Sequence, residues 1–175
     1  MRVDCATRGH LRVVTDLLAE AVEWLGDRGV DQWPSPYPER IVRASIARGN
    51  TYVASVAGDP VATLSIYWED PVFWGARPPD AGYLHRLVVA RRAAGQGLGA
   101  RLIDWAVAHV ATQGRRYLRL DCGAENTSIR AYYERLSFEH TGDVEVTIEG
   151  AGSTKRPWRA SLYERAIAQR PRTLS

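Results

Sequence analysis

A chain of 175 residues can bury one substantial core but not two, so one domain over residues 1–175 is expected, with a poorly ordered tail from about residue 168. Hydrophobic residues at 45% and charged residues at 25% exclude a disordered or fibrous chain. The net charge of +3 rests on arginines scattered beside acidic residues, with no basic run interleaved with aromatics, so nucleic acid is not an expected partner.

In chain order, a short strand at Arg2 to Ala6 precedes a helical pattern in which Leu11, Val14, Leu18, Ala21, Val22 and Leu25 recur at three- and four-residue spacing, ended by Gly26 and Gly29. Asp31 to Pro38 holds three prolines with Trp33 and Tyr37 and reads as an irregular loop, a candidate wall of a substrate site, before a second helix at Glu39 to Arg48. Strands at Thr51 to Ala57 and Val61 to Trp68 form a hairpin through Gly58-Asp59-Pro60. A loop rich in proline and aromatics leads to a strand at Tyr83 to Val89. A glycine-rich turn then opens a long helix, Leu98 to Gln113, whose buried face is Leu102, Ile103, Ala106, Val107 and Val110. A strand at Tyr117 to Cys122 and a helix at Thr127 to Leu136 follow. Strands at Phe138 to Ile148 and Trp158 to Arg165 close the chain, with a polar, mobile segment, Gly150 to Pro157, expected between them. This order predicts an α/β (α+β) fold with one mixed sheet and helices on both faces.

Cys5 and Cys122 lack CxxC spacing, which fits two free thiols in a reducing compartment. The opening MRVDCATRGH has no apolar signal region, and no apolar run reaches the ~18 residues that span a bilayer. A cytoplasmic protein with no membrane partner is expected, and a homodimer is compatible with the sequence.

The densest signal is Arg91-Arg92-Ala93-Ala94-Gly95-Gln96-Gly97-Leu98-Gly99-Ala100, between a strand and a helix. Glycines let backbone N–H groups crowd an anion without Cβ obstruction, and the helix N-terminus adds its positive dipole end, so the turn is a place for phosphate. Gly95, Gly97 and Ala100 also satisfy a loose dinucleotide fingerprint, with Asp121 near the right distance for a ribose. Against that reading, Ala90 to Ala94 separate the glycines from the strand, and the remaining chain is too short for the second half of such a fold. A plain tight turn is the remaining alternative.

The run Arg92-x-x-Gly95-x-Gly97 resembles the [Gln/Arg]-x-x-Gly-x-[Gly/Ala] motif of the GCN5-related N-acetyltransferase (GNAT) superfamily, and Leu87-Val88-Val89 resembles its acyl-CoA strand. Downstream, Asn126 and Ala131-Tyr132-Tyr133-Glu134-Arg135-Leu136-Ser137-Phe138 are similar to its asparagine followed by YYExLGF, with Ser137 where glycine is usual. The resemblance is strong over Tyr83 to Thr141 and rests elsewhere on element order.

The resemblance implies a central, mostly antiparallel sheet of about seven strands. It also implies transfer of an acetyl group from acetyl-CoA to a primary amine through a tetrahedral intermediate, with no metal. The pantetheine arm would lie where the strand at Leu87, Val88 and Val89 splays from Tyr117 to Cys122. The pyrophosphate would sit on the turn formed by Arg92, Gly95, Gln96, Gly97, Leu98, Gly99 and Ala100. A backbone N–H near Leu87 or Val88 would polarise the thioester carbonyl, and Asn126 would bond the pantetheine amide unless it is simply a helix N-cap. Tyr133 would protonate the departing thiolate, since a phenol is protonated at neutral pH, while Tyr132 packs.

His85 is the candidate base, because an imidazole changes charge near neutral pH, and Leu84 to Val89 resembles the base-bearing strand of arylalkylamine N-acetyltransferases. A structural histidine explains it as well. Strand alternation puts Tyr83, His85 and Leu87 on one face and Leu84, Arg86 and Val88 on the other.

For the acceptor, Tyr67, Trp68, Phe73 and Trp74 cluster around Glu69 and Asp70, and aromatic faces beside carboxylates suit a cationic, partly apolar amine. Trp33, Trp68, Glu69, Trp74 and Tyr83 are the expected substrate contacts, with loop packing as the alternative role for the aromatics. A small-molecule amine is therefore the expected acceptor. A protein N-terminus or lysine, or a non-catalytic acyl-CoA sensor, are the other classes. Cys122 as an acyl-carrying nucleophile is disfavoured, because direct transfer needs none.

Overall fold

Two helical layers enclose one sheet in the computed structural model, which describes residues 1–30, 32–149 and 155–168. Its seven strands are β1 (Arg2–Cys5), β2 (Thr51–Val56), β3 (Asp59–Tyr67), β4 (Ala81–Val89), β5 (Tyr117–Gly123), β6 (Glu139–Glu149) and β7 (Lys155–Ala166). They are ordered β1-β2-β3-β4-β5-β7-β6, and among the described residues the only parallel neighbours are β4 and β5. This is the mixed, mostly antiparallel α/β (α+β) architecture expected.

The helices are α1 (Leu11–Gly26), α2 (Glu39–Ala47), α3 (Pro71–Trp74), α4 (Leu98–Thr112) and α5 (Thr127–Arg135). Period-two alternation sends Tyr52, Ala54, Leu64, Leu118 and Leu120 to one face, where α4 contributes Leu102, Ile103, Ala106 and Val110. The other face buries Val53 and Val88 under Val14, Leu17 and Leu18 of α1 and Val42 and Ile46 of α2. Val107 is only partly buried, on the margin of the α4 face. Gly82 lets α4 lie close on β4, since a Cβ there would stand 2.5 Å from Val110 Cγ2. Among the described residues no helix is long and apolar enough to cross a membrane.

Several boundaries differ from those the sequence predicts. The β2–β3 turn is Ala57-Gly58, both with positive φ (51° and 85°), so the hairpin closes on two residues before Asp59-Pro60, which belong to β3. The loop after β3 contains α3, started by Asp70, whose carboxylate accepts from the Phe73 N–H at 3.4 Å. Lys155 to Pro157 belong to β7, paired with Thr147 to Glu149, so that part of the expected mobile segment is strand. Residues 150–154 of that segment, and 169–175 of the expected tail, lie outside the described residues.

The exit of α5 explains why glycine is usual at position 137. Ser137 has φ of 63°, a left-handed conformation that costs a side-chain-bearing residue roughly 1 kcal/mol or more. Ser137→Gly is expected to stabilise the fold by about 1 kcal/mol in urea unfolding without changing the slope of the transition.

Two features of β4 create the space for a site. First, β4 pairs with β5 only over Ala81–Tyr83, against Tyr117–Arg119. Beyond that point β4 stays bonded to β3 through Val89, and β5 stays bonded to β7 through Gly123. The strands are thus pulled apart by their outer neighbours.

Second, β3 spans Thr63 to Ser65 where β4 spans Val88 to His85, one residue more, and Arg86 has φ of 51°. This bulge breaks the expected alternation. His85 and Arg86 both face α1 and α2, Leu87 and Val89 face α4, and Val88 joins the α1 and α2 side.

Candidate active site

The gap between β4 and β5 opens into a cavity of about 1040 Å³ that reaches both faces of the sheet. On the α4 and α5 face it is lined by Leu87, Val89, Gly95, Gly97, Leu98, Gly99, Asn126 and Tyr133. On the α1 and α2 face it is lined by Val88, His85, Trp33 and Glu69. The two candidate catalytic residues and most of the expected acyl-CoA contacts therefore meet in one space.

The phosphate end is built from backbone. Gly95 and Gly97 have φ of 78° and 70°, with nothing within 4 Å of where a Cβ would stand. Gly97 is the N-cap of the 15-residue α4, and no side chain caps that helix. The first-turn N–H groups are left for an outside acceptor, reinforced by the helix dipole. This cradle fits a phosphate. At Gly99 a Cβ would come within 2.6 Å of the Tyr132 hydroxyl, so Tyr132 closes over the helix start and lines the cavity as well as packing.

Arg92, Gln96 and Ala100 do not line the cavity. The Arg92 guanidinium turns back to the β2–β3 hairpin, donating to Asp59 at 3.0 and 3.2 Å and to the Pro60 carbonyl at 2.6 Å. Arg91 lines the cavity instead, its guanidinium 4.3 Å from the Trp24 ring centroid and its N–H donating to Glu20 at 3.0 Å. The Asn126 oxygen accepts from the Ile129 N–H at 3.2 Å, so Asn126 is a helix N-cap. Its amide N–H groups and the second lone pair of that oxygen remain to be offered to a ligand.

Tyr133 reaches the gap from α5, half-buried between Tyr132, Phe138 and Tyr163, with ring centroids at 5.6, 5.7 and 6.3 Å. Burial pushes its phenol above the ordinary range, with the neighbouring Cys122 and Asp121 adding to the rise. The hydroxyl therefore keeps its proton at neutral pH.

His85 stands between two carboxylates, its Nε2 3.2 Å from Asp70 Oδ2 and its Nδ1 3.9 Å from Asp121 Oδ1. Burial raises the Asp121 carboxyl to about 6; the His85 imidazole opposes that rise and Asp70 adds to it. A carboxyl held there is a proton acceptor near neutrality. No motif marks Asp121 as a base; the one signal for it is that Leu118-Arg119-Leu120-Asp121-Cys122 alternates apolar with charged residues on an inner strand, which puts a charge on a covered face.

Cys122, next to Asp121, faces the other way and is 2% exposed. Burial, and then the Asp121 charge, push its thiol up to about 12. A thiol so weakly acidic is not a nucleophile at neutral pH. Cys122→Ala is expected to retain acetyl-group turnover within about threefold, read as thiol release from acetyl-CoA.

Three expected substrate contacts lie away from the cavity. Trp68 points to the α4 face, 6.1 Å from the His109 ring and under the Arg115 guanidinium. Trp74 and Tyr83 are 5% and 3% exposed and pack on each other 6.0 Å apart, around the buried Arg119. Arg119 is held by Glu164 at 2.6 Å, Asp80 at 3.2 Å and the Tyr83 hydroxyl at 3.1 Å, so this cluster is a structural strut. Tyr67 and Phe73 supply aromatic lining in their place, with Trp24 and Tyr37 from the α1 side.

The family model described as Acetyltransferase (GNAT) family matches residues 18–138. The uncharacterized N-acetyltransferase YesJ of Bacillus subtilis is 34% identical over 138 residues, covering 74% of this chain and 76% of that one. A GNAT-family acetyltransferase from Listeria monocytogenes superposes with a TM-score of 0.76 at 23% identity, over 95% of this chain and 94% of that one. The yncA protein of Salmonella typhimurium, solved with its cofactor acetyl-CoA, superposes at 0.70 with 14% identity, over 100% and 98%. The family match over most of the chain and the identity to YesJ agree with the splayed strands and glycine cradle: this chain belongs to the acetyltransferase (GNAT) family and is an N-acetyltransferase.

Proposed function

We propose that the chain transfers an acetyl group from acetyl-CoA to the primary amine of a small molecule by direct attack within the β4–β5 gap. The observation that carries this reading is the acceptor side of the cavity. Trp24, Trp33, Tyr37, Tyr67 and Phe73 wall it, and Glu69, Asp70 and Asp121 supply negative charge. An aromatic-walled space with a few carboxylates suits a cationic, partly apolar amine of modest size.

Each residue has a step. Acetyl-CoA supplies the activated carbonyl. The Gly95 and Gly97 backbone and the first turn of α4 hold its phosphates, with Arg91 beside them. Asp121, paired with His85, takes the proton that an incoming ammonium must lose before it can attack. Past the bulge, the backbone of Leu87 and Val88 lies along the unpaired side of β4, and an N–H there receives the carbonyl oxygen as charge gathers on it. Tyr133, on the opposite face from Asp121, returns a proton to the departing thiolate.

The test is thiol release from acetyl-CoA against a panel of small primary amines, short peptides and a protein extract. Release with small amines, saturating at millimolar concentration or below, supports the reading. Release with peptides or protein alone overturns it.

A further inference from the structure

The two residues of the β4 bulge carry different chemistry into the acceptor side of the cavity. His85 belongs to the cluster with Asp70 and Asp121. Arg86 carries the opposite charge, and its partners among the described residues are all neutral. Its guanidinium donates to the Tyr37 hydroxyl at 3.3 Å, to Ser45 Oγ at 3.1 Å and to the Tyr67 hydroxyl.

Behind Ser45 the contacts are hydroxyls again, from Thr51 at 2.7 Å and onward to Ser65 at 3.2 Å. No carboxylate of a described residue lies within ion-pairing distance of Arg86. Of the acidic residues that line the cavity, Asp70 and Asp121 meet His85, Glu20 accepts from the Arg91 backbone N–H, and Glu69 is exposed. A half-buried cation without a counter-charge is costly unless a ligand supplies one, and with Nη2 donating to Ser45 and Tyr67 and Nη1 to Tyr37, the Nε–H and the second Nη1–H are the donors left for a carboxylate. The Tyr67 ring touches both sides of the arrangement, its centroid 5.2 Å from the His85 ring and 5.3 Å from the Arg86 guanidinium carbon. Cation and base are thus one aromatic ring apart.

We infer that the acceptor is a zwitterion of the amino-acid class, its carboxylate bound by Arg86 and its amine presented to the Asp121–His85 pair. This rests on the reading that the acceptor is a small-molecule amine. The aromatic walls of Trp33, Tyr37 and Phe73 favour an apolar side chain on it. A carboxylate fixed at Arg86 leaves the amine as the end that reaches the gap, so the same contact that binds also orients. Arg86 is a specificity-determining residue with no part in the bond changes.

The experiment compares apolar amino acids with the matched amines that lack the carboxylate, at saturating acetyl-CoA, in the wild type and in Arg86→Met and Arg86→Lys. The expected result is a preference for the acids of about 30-fold in kcat/KM in the wild type, carried mainly by KM. That preference should collapse toward one in Arg86→Met and be partly kept in Arg86→Lys. A wild-type ratio near one, or a ratio unchanged in Arg86→Met, overturns this inference and leaves the small-amine reading standing. Turnover of neither series, with peptides accepted, removes both. The wild-type ratio needs no variant to fold, so the inference stays exposed to refutation even if position 86 tolerates no change.

Discussion

Tyr133→Phe is expected to lower kcat by about 10²- to 10³-fold while leaving acetyl-CoA affinity within a factor of about two. The substitution removes one oxygen and keeps the ring that packs between Tyr132, Phe138 and Tyr163. A purely structural aromatic would lose almost nothing. The phenol is raised by burial, so wild-type Tyr133 is protonated throughout the working range and its loss cannot be hidden by pH. Direct binding of acetyl-CoA to the variant, by calorimetry, separates the loss of proton donation from a loss of the site. An unimpaired kcat in Tyr133→Phe would return the residue to the packing role that its helix spacing alone allows.

The second large effect is predicted at Asp121. Asp121→Asn should reduce kcat/KM by about 10²-fold at pH 7 and erase the acidic limb of the pH profile. In the wild type that limb is expected near pH 6, activity rising with pH as the carboxyl ionises and can accept a proton. Stability should move in the opposite direction. The folded-state value of about 6 lies above the ordinary 3.8, so the folded protein holds this proton more tightly than the unfolded chain. Stability is therefore lost as pH rises from about 4 through about 6, and the full penalty persists above that. Asp121→Asn removes the penalty and should be more stable than wild type at pH 8, by about 1–3 kcal/mol, with no such gain at pH 4. A variant slower yet more stable is what a charge buried for catalysis predicts. A variant both slower and less stable would make the Asp121–His85 contact a structural one.

The sequence made the architecture legible wherever local pattern and tertiary burial agree. The glycine cradle, α4 and the Tyr133 segment could be read because φ-permissive residues, helical spacing and the end of a strand coincide there. The site's chemistry was less legible. Strict alternation misplaced Leu87 and Val88 because one extra residue at Arg86, in a left-handed conformation, flips the strand, and nothing local marks an arginine as a bulge. Trp68 and Trp74 were misread for a related reason. Whether they face the cavity depends on the last residue of β3 and on the short turn of α3, both decided by packing around Arg119 and His109. Asp70 and Asp121 were readable only in part, since their meaning comes from His85, which is distant from Asp121 in sequence and is brought between them by the parallel start of β4 and β5.

In the proposed transfer the amine's proton acceptor and the thiolate's proton donor stand on opposite faces of one gap, which requires both substrates to be bound at once. Initial rates measured while acetyl-CoA and an accepted amine are varied together test that requirement directly. Double-reciprocal lines that intersect, with no thiol released in the absence of amine, are the predicted result. Parallel lines, with a burst of thiol from acetyl-CoA alone, would show a covalent acetyl-enzyme and contradict direct transfer across the gap.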